Sequence, residues 1–73
     1  AHIPETVTSI AEYAFYNCSN LASINIPESV TSIGKDAFWG CSNLDIVIDN
    51  SKKNVKVGTE AFEGCKSVTW LKD

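Results

Sequence analysis

Three cysteines are the first residues to weigh, because a thiol can act as nucleophile, metal ligand or redox partner. Cys18, Cys41 and Cys65 lie 23 and 24 residues apart. Zinc sites use closely spaced ligand pairs that converge from different directions. This spacing supplies no such pair, and the single histidine, His2, is remote. The regular spacing instead gives each cysteine the same place beside a phenylalanine, where free cysteine acts as a small buried hydrophobe. A disulfide between neighbours in such a stack remains open, since adjacent coils can bring two Cα atoms within bridging range. His2 has no partner nucleophile in sight and reads as an exposed terminal residue. The carboxylates are dispersed, so no pair is poised for acid–base work. A glycine-rich phosphate loop and a serine-nucleophile motif are both absent. Asn17-Cys18-Ser19 is formally a glycosylation sequon, and chance accounts for it. No catalytic residue, metal site or cofactor is expected.

The same spacing runs through the whole chain. Ile3-Pro4-Glu5-Thr6-Val7-Thr8-Ser9-Ile10 returns as Ile26-Pro27-Glu28-Ser29-Val30-Thr31-Ser32-Ile33, and 13 of 23 positions agree between residues 3–25 and 26–48. A third, degraded copy keeps Val57-Gly58-x-x-Ala61-Phe62-x-Gly64-Cys65, one residue late. A period of this size means stacked supersecondary units rather than one globular core. The 73 residues make one domain of about three coils, roughly 3–25, 26–48 and 49–73.

Each coil reads as strand, corner, short extended side, helical turn and second corner. Ile26-Pro27-Glu28-Ser29 is a corner, and Val30-Thr31-Ser32-Ile33 is extended. Ala37, Phe38 and Cys41 share a face at a spacing that fits a helical or 3-10 turn. Asp36 and Glu60 would then lie in a first turn, where the helix dipole favours an anion. Phe15, Phe38 and Phe62 are expected to stack as an aromatic column. Asn20 and Asn43, with Ser67 in the third copy, should bond corner backbone groups. Thirteen Ile and Val against three Leu favour strands. The expected fold is a right-handed α/β-type solenoid, mostly β, with a parallel sheet and short helical or 3-10 turns. Residues 49–56 replace the Ile-Pro corner with a polar stretch and blur the third register.

Charge excludes one partner class. The net charge is −3, and the chain has no Arg. Nucleic-acid binders concentrate Lys and Arg on one face, so no nucleic acid is expected. Lys52-Lys53-x-x-Lys56 is better read as a solvated loop. No apolar run approaches the ~20 residues of a membrane span, so no membrane insertion is expected. The chain begins on a repeat boundary without Met and reads as a piece of a longer array.

The motif Ile-Pro-x-Ser/Thr-Val-Thr-Ser-Ile-Gly-x-x-Ala-Phe-x-x-Cys-x-x-Leu resembles the BspA-like, or Treponema pallidum-class, leucine-rich repeat family, over nearly the whole chain. The resemblance implies a curved solenoid with a parallel sheet on its concave face. It also implies a bacterial or protist surface protein tied to adhesion, hence an extracellular or cell-surface location, and no enzymatic activity. The expected function is a non-catalytic protein-interaction module recognising a host or matrix protein. The rival is a structural spacer within a surface array.

Exposed aromatic and aliphatic rows are the best partner-binding signal. Tyr16 and Trp39 follow the buried Phe in successive coils. Strand parity puts Ser23, Ile46 and Trp70 in one outward column, and Asn25, Ile48 and Lys72 in the next. The expected contact residues are therefore Tyr16, Trp39, Ile46, Ile48 and Trp70. Packing of Trp39 and Trp70 over the solenoid edges remains the alternative. The coil ends carry apolar residues without a polar cap, which predicts self-association by end-to-end stacking or through the Ile46/Trp70 face.

Overall fold

The computed structural model describes residues 3–72. Strands form where β-branched residues alternate with polar ones. Ser23–Ile26 (β2) reads Ser-Ile-Asn-Ile and buries only its isoleucines. Pro27 follows directly and cannot donate to a sheet. Asp45–Ile48 (β4) and Ser67–Trp70 (β6) repeat the segment, and the three pair in parallel in the order β2-β4-β6. Ser9–Ile10 (β1), Ser32–Ile33 (β3) and Lys56–Val57 (β5) form a second parallel sheet, β1-β3-β5. Two narrow parallel sheets joined coil by coil make the expected solenoid.

The core is filled by equivalent residues. Ile24, Ile26, Val30, Ile33, Phe38, Cys41, Leu44, Ile46 and Ile48 are almost fully buried. All but Ile24 lie between Ile26 and Ile48, in the middle coil. Their counterparts in the outer coils, Phe15, Cys18, Leu21, Phe62, Cys65 and Val68, are only half-buried. The aromatic column is present: Phe15 stacks on Phe38 at 5.1 Å between ring centroids, and Phe38 on Phe62 at 5.9 Å. Corner hydroxyls reinforce the stack, with Ser29 Oγ donating to the Val7 carbonyl at 2.7 Å. Asn43 Nδ2 donates to the Ser19 carbonyl at 2.9 Å, as expected. Ser67 does not follow it; it lies in β6 and donates to Asp45 Oδ1 at 2.6 Å.

The helical turn after each short strand is not a helix. It is a run of linked turns in which amides alternate between two partners. Ala14, Tyr16 and Cys18 donate to the carbonyls of Ala11, Tyr13 and Phe15 within the coil. Tyr13, Phe15 and Asn17 donate across to Lys35, Ala37 and Trp39 of the next coil. Left-handed residues recur at Tyr13, Asp36 and Glu60, and again at Asn17, Gly40 and Gly64. A left-handed residue breaks helical geometry, so Asp36 and Glu60 meet no helix dipole. Among the described residues the 3-10 helix is Lys52–Asn54, inside the polar stretch, with Ser51 as its N-cap. There Asn50 takes over the corner: its Oδ1 accepts from Ser51 N and Asn54 Nδ2, and its Nδ2 donates to the Glu28 carbonyl. This plug absorbs the extra length, and β5 still pairs with β3 in the register Ile33↔Val57.

The outward columns expected on the longer sheet are displaced, by one residue in the second coil and by three in the third. The observed register is Ser23↔Asp45↔Ser67 and Ile24↔Ile46↔Val68. Ile46 and Ile48 therefore point inward and are fully buried. The corners shorten along the chain. Two residues separate Leu21 from Ile24 and one separates Leu44 from Ile46, while Cys65 is followed at once by Lys66 and β6. A one-residue change exchanges the two faces of a strand. Trp70 likewise faces inward, with its ring edge-on to Phe62 at 6.4 Å.

Candidate interaction surface

The thiols are placed for packing. Cys41 is fully buried, and its Sγ–H donates to the Phe15 carbonyl at 3.0 Å. Cys65 repeats the contact with the Phe38 carbonyl at 3.1 Å. All three cysteines are free thiols. Burial pushes the Cys41 thiol above its ordinary range and pushes Cys65 up to about 11. Both therefore stay protonated near neutral pH, and a protonated thiol is a poor nucleophile and metal ligand. Among the described residues no group of His, Cys, Asp and Glu could hold a metal ion. His2 lies outside the described residues.

Among the described residues the basic cluster makes no ion pair. Lys52, Lys53 and Lys56 are exposed around the 3-10 helix. Lys72 is engaged instead, bridging Glu28 at 3.0 Å and Asp49 at 3.5 Å across successive coils. These carboxylates raise its pKa, the Glu28 hydrogen bond most. The outward face of the longer sheet is carpeted with small side chains: Ser23, Asn25, Asp45, Val47, Ser67 and Thr69.

The aromatic row is the distinctive surface feature. Tyr16 stacks on Trp39 at 5.2 Å with 13° between the ring planes. Tyr13 meets Tyr16 edge-on at 5.4 Å. Tyr13 and Tyr16 are 49% and 47% exposed, while Trp39 is half-buried. The three rings form one strip along the flank built by the linked turns. Of the five expected contact residues, the structure brings together Tyr16 and Trp39. It puts Ile46 and Ile48 in the core and Trp70 at the end of the phenylalanine column. Tyr13 was missing from the expectation. Its three-residue spacing from Tyr16 was a visible signal, but the equivalent positions hold Asp36 and Glu60.

This geometry, with parallel sheets and a Phe–Cys ladder renewed every coil, is that of a leucine-rich-repeat solenoid. The sequence pattern of the BspA type leucine rich repeat region, described as six copies, matches residues 1–72. The chain belongs to this family. Comparison with curated proteins and with solved structures gave no match. BspA-type repeats support a repeat protein-interaction module, leucine-rich-repeat regions are generally non-catalytic, and the family is commonly surface-associated. Among the described residues no helix is long and apolar enough to cross a membrane. In this BspA-type chain the repeat explains both sheets, the Phe column and the thiol ladder. The Tyr13–Tyr16–Trp39 strip stands outside the shared motif.

Proposed function

We propose that the chain is a non-catalytic adhesive module that recognises a host or matrix protein at a cell surface through the flank carrying Tyr13, Tyr16 and Trp39. The observation that carries this reading is the contiguous aromatic strip on a surface where each coil's motif leaves the residue unconstrained. Tyr and Trp supply large, amphipathic contact area at low entropic cost and dominate interface energetics. The carpet of small side chains on the longer sheet offers a partner little to anchor in comparison.

A second reading has its own support. Tyr16 and Trp39 lie face to face, so part of their apolar surface is already used inside the stack. A spacer needs only that internal stacking. Binding to immobilised extracellular-matrix proteins separates the two. The expected result is saturable binding that falls at least tenfold in Tyr16→Ser/Trp39→Ser. Asn25→Ala/Thr69→Ala, on the sheet face, should bind as the wild type does. Equal binding by the folded double aromatic variant, or no binding to any matrix protein, would support the spacer.

A further inference from the structure

The flank that carries the aromatic strip is a grid of two rows across three coils. Tyr13, Asp36 and Glu60 hold one position in successive coils, with nearly the same left-handed backbone, φ 60°, 55° and 56°. Tyr16, Trp39 and Glu63 hold the position three residues on. A ladder of amides keeps the coils in register here. Tyr13 and Asn17 donate to the Lys35 and Trp39 carbonyls, and Asp36 and Gly40 donate to those of Thr59 and Glu63. The flank runs along the stack, so Asp36 and Trp39 at its centre have a coil on either side.

The grid changes character along its length. Tyr16 stacks on one face of Trp39 in near-parallel planes. The other face of that ring is turned along the stack toward the third coil, where Glu63 stands in place of a third ring. Glu60 and Glu63 are both exposed and make no ion pair among the described residues. In the middle coil Asp36 is 8% exposed, and its Oδ1 lacks a hydrogen-bond partner among the described residues. Three carboxyl groups thus border one indole, while the neighbouring row of Glu12, Lys35 and Thr59 adds one cation and one further acid. A guanidinium answers both features: it is planar, stacks on an aromatic face, and pairs with carboxylate through a fixed fork of donors. An ammonium supplies the charge without the plane. Resting on the adhesive reading above, we propose that the partner inserts an arginine whose guanidinium covers the free face of Trp39 and donates to Glu63 and Glu60. Asp36 adds to the negative field at that point. The chain itself contains no Arg, so a second copy does not supply this group.

Capped Gly-Arg-Gly, Gly-Lys-Gly and Gly-citrulline-Gly peptides test this, read by Trp39 fluorescence in a Trp70→Phe background. Citrulline keeps the plane and loses the charge, and lysine does the reverse. The arginine peptide is expected to bind saturably, at least fivefold tighter than the lysine peptide, with citrulline weaker than either. Its affinity should fall at least fivefold as salt rises from about 0.05 to about 0.5 M, because exposed charges are screened. In Glu60→Gln/Glu63→Gln it should bind at least tenfold more weakly. Those side chains are exposed and make no ion pair, so this variant should melt as the wild type does. Absence of saturable binding overturns the proposal, as do equal affinities for arginine and lysine, or for arginine and citrulline. So does a glutamine variant that binds arginine as the wild type does. Immobilised matrix proteins separate this proposal from the adhesive reading. If Tyr16→Ser/Trp39→Ser loses a matrix protein that Glu60→Gln/Glu63→Gln still binds, the arginine proposal falls and the adhesive reading stands. If the arginine peptide binds and no matrix protein does, the adhesive reading falls and the arginine site stands without it.

Discussion

Asp36 has a left-handed backbone with φ 55°, is 8% exposed, and its Oδ1 meets no hydrogen-bond partner among the described residues. The left-handed region costs a residue with a Cβ about 1–2 kcal/mol, and an unsatisfied buried polar atom about 1–3 kcal/mol. Glycine removes both terms and forfeits about 0.5–1 kcal/mol of chain entropy. Asp36→Gly is therefore expected to raise unfolding stability by about 1–4 kcal/mol on balance, read as a higher urea midpoint at unchanged slope. A lower midpoint would mean that the carboxylate has a role in the native state. The thiols make a second prediction at this scale. The folded pKa of Cys65 is raised to about 11 from an ordinary 9.0. The native state thus holds its proton more tightly than the unfolded chain. Stability from this group is fully present below pH 9 and is lost as pH rises toward 11. Cys65→Ala should flatten the fall in urea midpoint across that window. An unchanged pH profile in the variant would show that the thiol does not feel its burial.

At the scale of the element, the spacing between coils is fixed by Gly34 and Gly58. Gly34→Ala would drive a methyl against the backbone of residues 11 and 12, which cannot yield as a side-chain tip does. Overpacking of this kind costs about 1–3 kcal/mol, and the loss should appear as a lower melting temperature. Ala11→Gly at the equivalent position should cost at most about 1 kcal/mol, because only chain entropy changes. Equal losses would mean that the close approach at Gly34 is relaxed in solution. The coil order, the phenylalanine column, the burial of Cys41 and the Asn43 bond were legible from the repeat, because like residues at a fixed period take like places in their coils. Sheet parity was not. The period read from Cys18 and Cys41 is 23, but β2 and β4 pair at a spacing of 22 because one corner residue is missing. That single residue decides whether Ile46 and Ile48 are contacts or core. The linked turns were equally hidden, since Tyr13, Asp36 and Glu60 do not announce a left-handed backbone as glycine does. Tyr13 was lost to the contact strip because its counterparts are acidic, and period alone cannot show that three different side chains stand in one row.

At the scale of the whole molecule, stability is roughly a sum of coil terms and neighbour interfaces, and three coils are about the minimum that holds together. The burial pattern makes that sum uneven. Phe38 is fully buried between two stacked rings, whereas Phe62 ends the column half-buried against Trp70. Phe38→Ala should cost about 3–5 kcal/mol, a large share of the about 5–15 kcal/mol typical of a domain. It removes one ring from both coil interfaces, so no two coils are left well packed and the chain should unfold as a unit. Phe62→Ala removes only the outer contact and should loosen the third coil first. The two tryptophans report this separately, since Trp39 lies in the second coil and Trp70 in the third. In Trp39→Phe and Trp70→Phe backgrounds, the remaining indole follows one coil through a urea titration. The wild-type transitions should coincide. With Phe62→Ala, the Trp70 transition should move to lower urea than that of Trp39. With Phe38→Ala, both should move down together by a similar amount. Coincident transitions in Phe62→Ala would show that coupling across the Phe38 layer exceeds what one ring supplies. A Phe38→Ala chain that melts within a few degrees of wild type would remove the column as the main support and leave the two parallel sheets to hold the coils together.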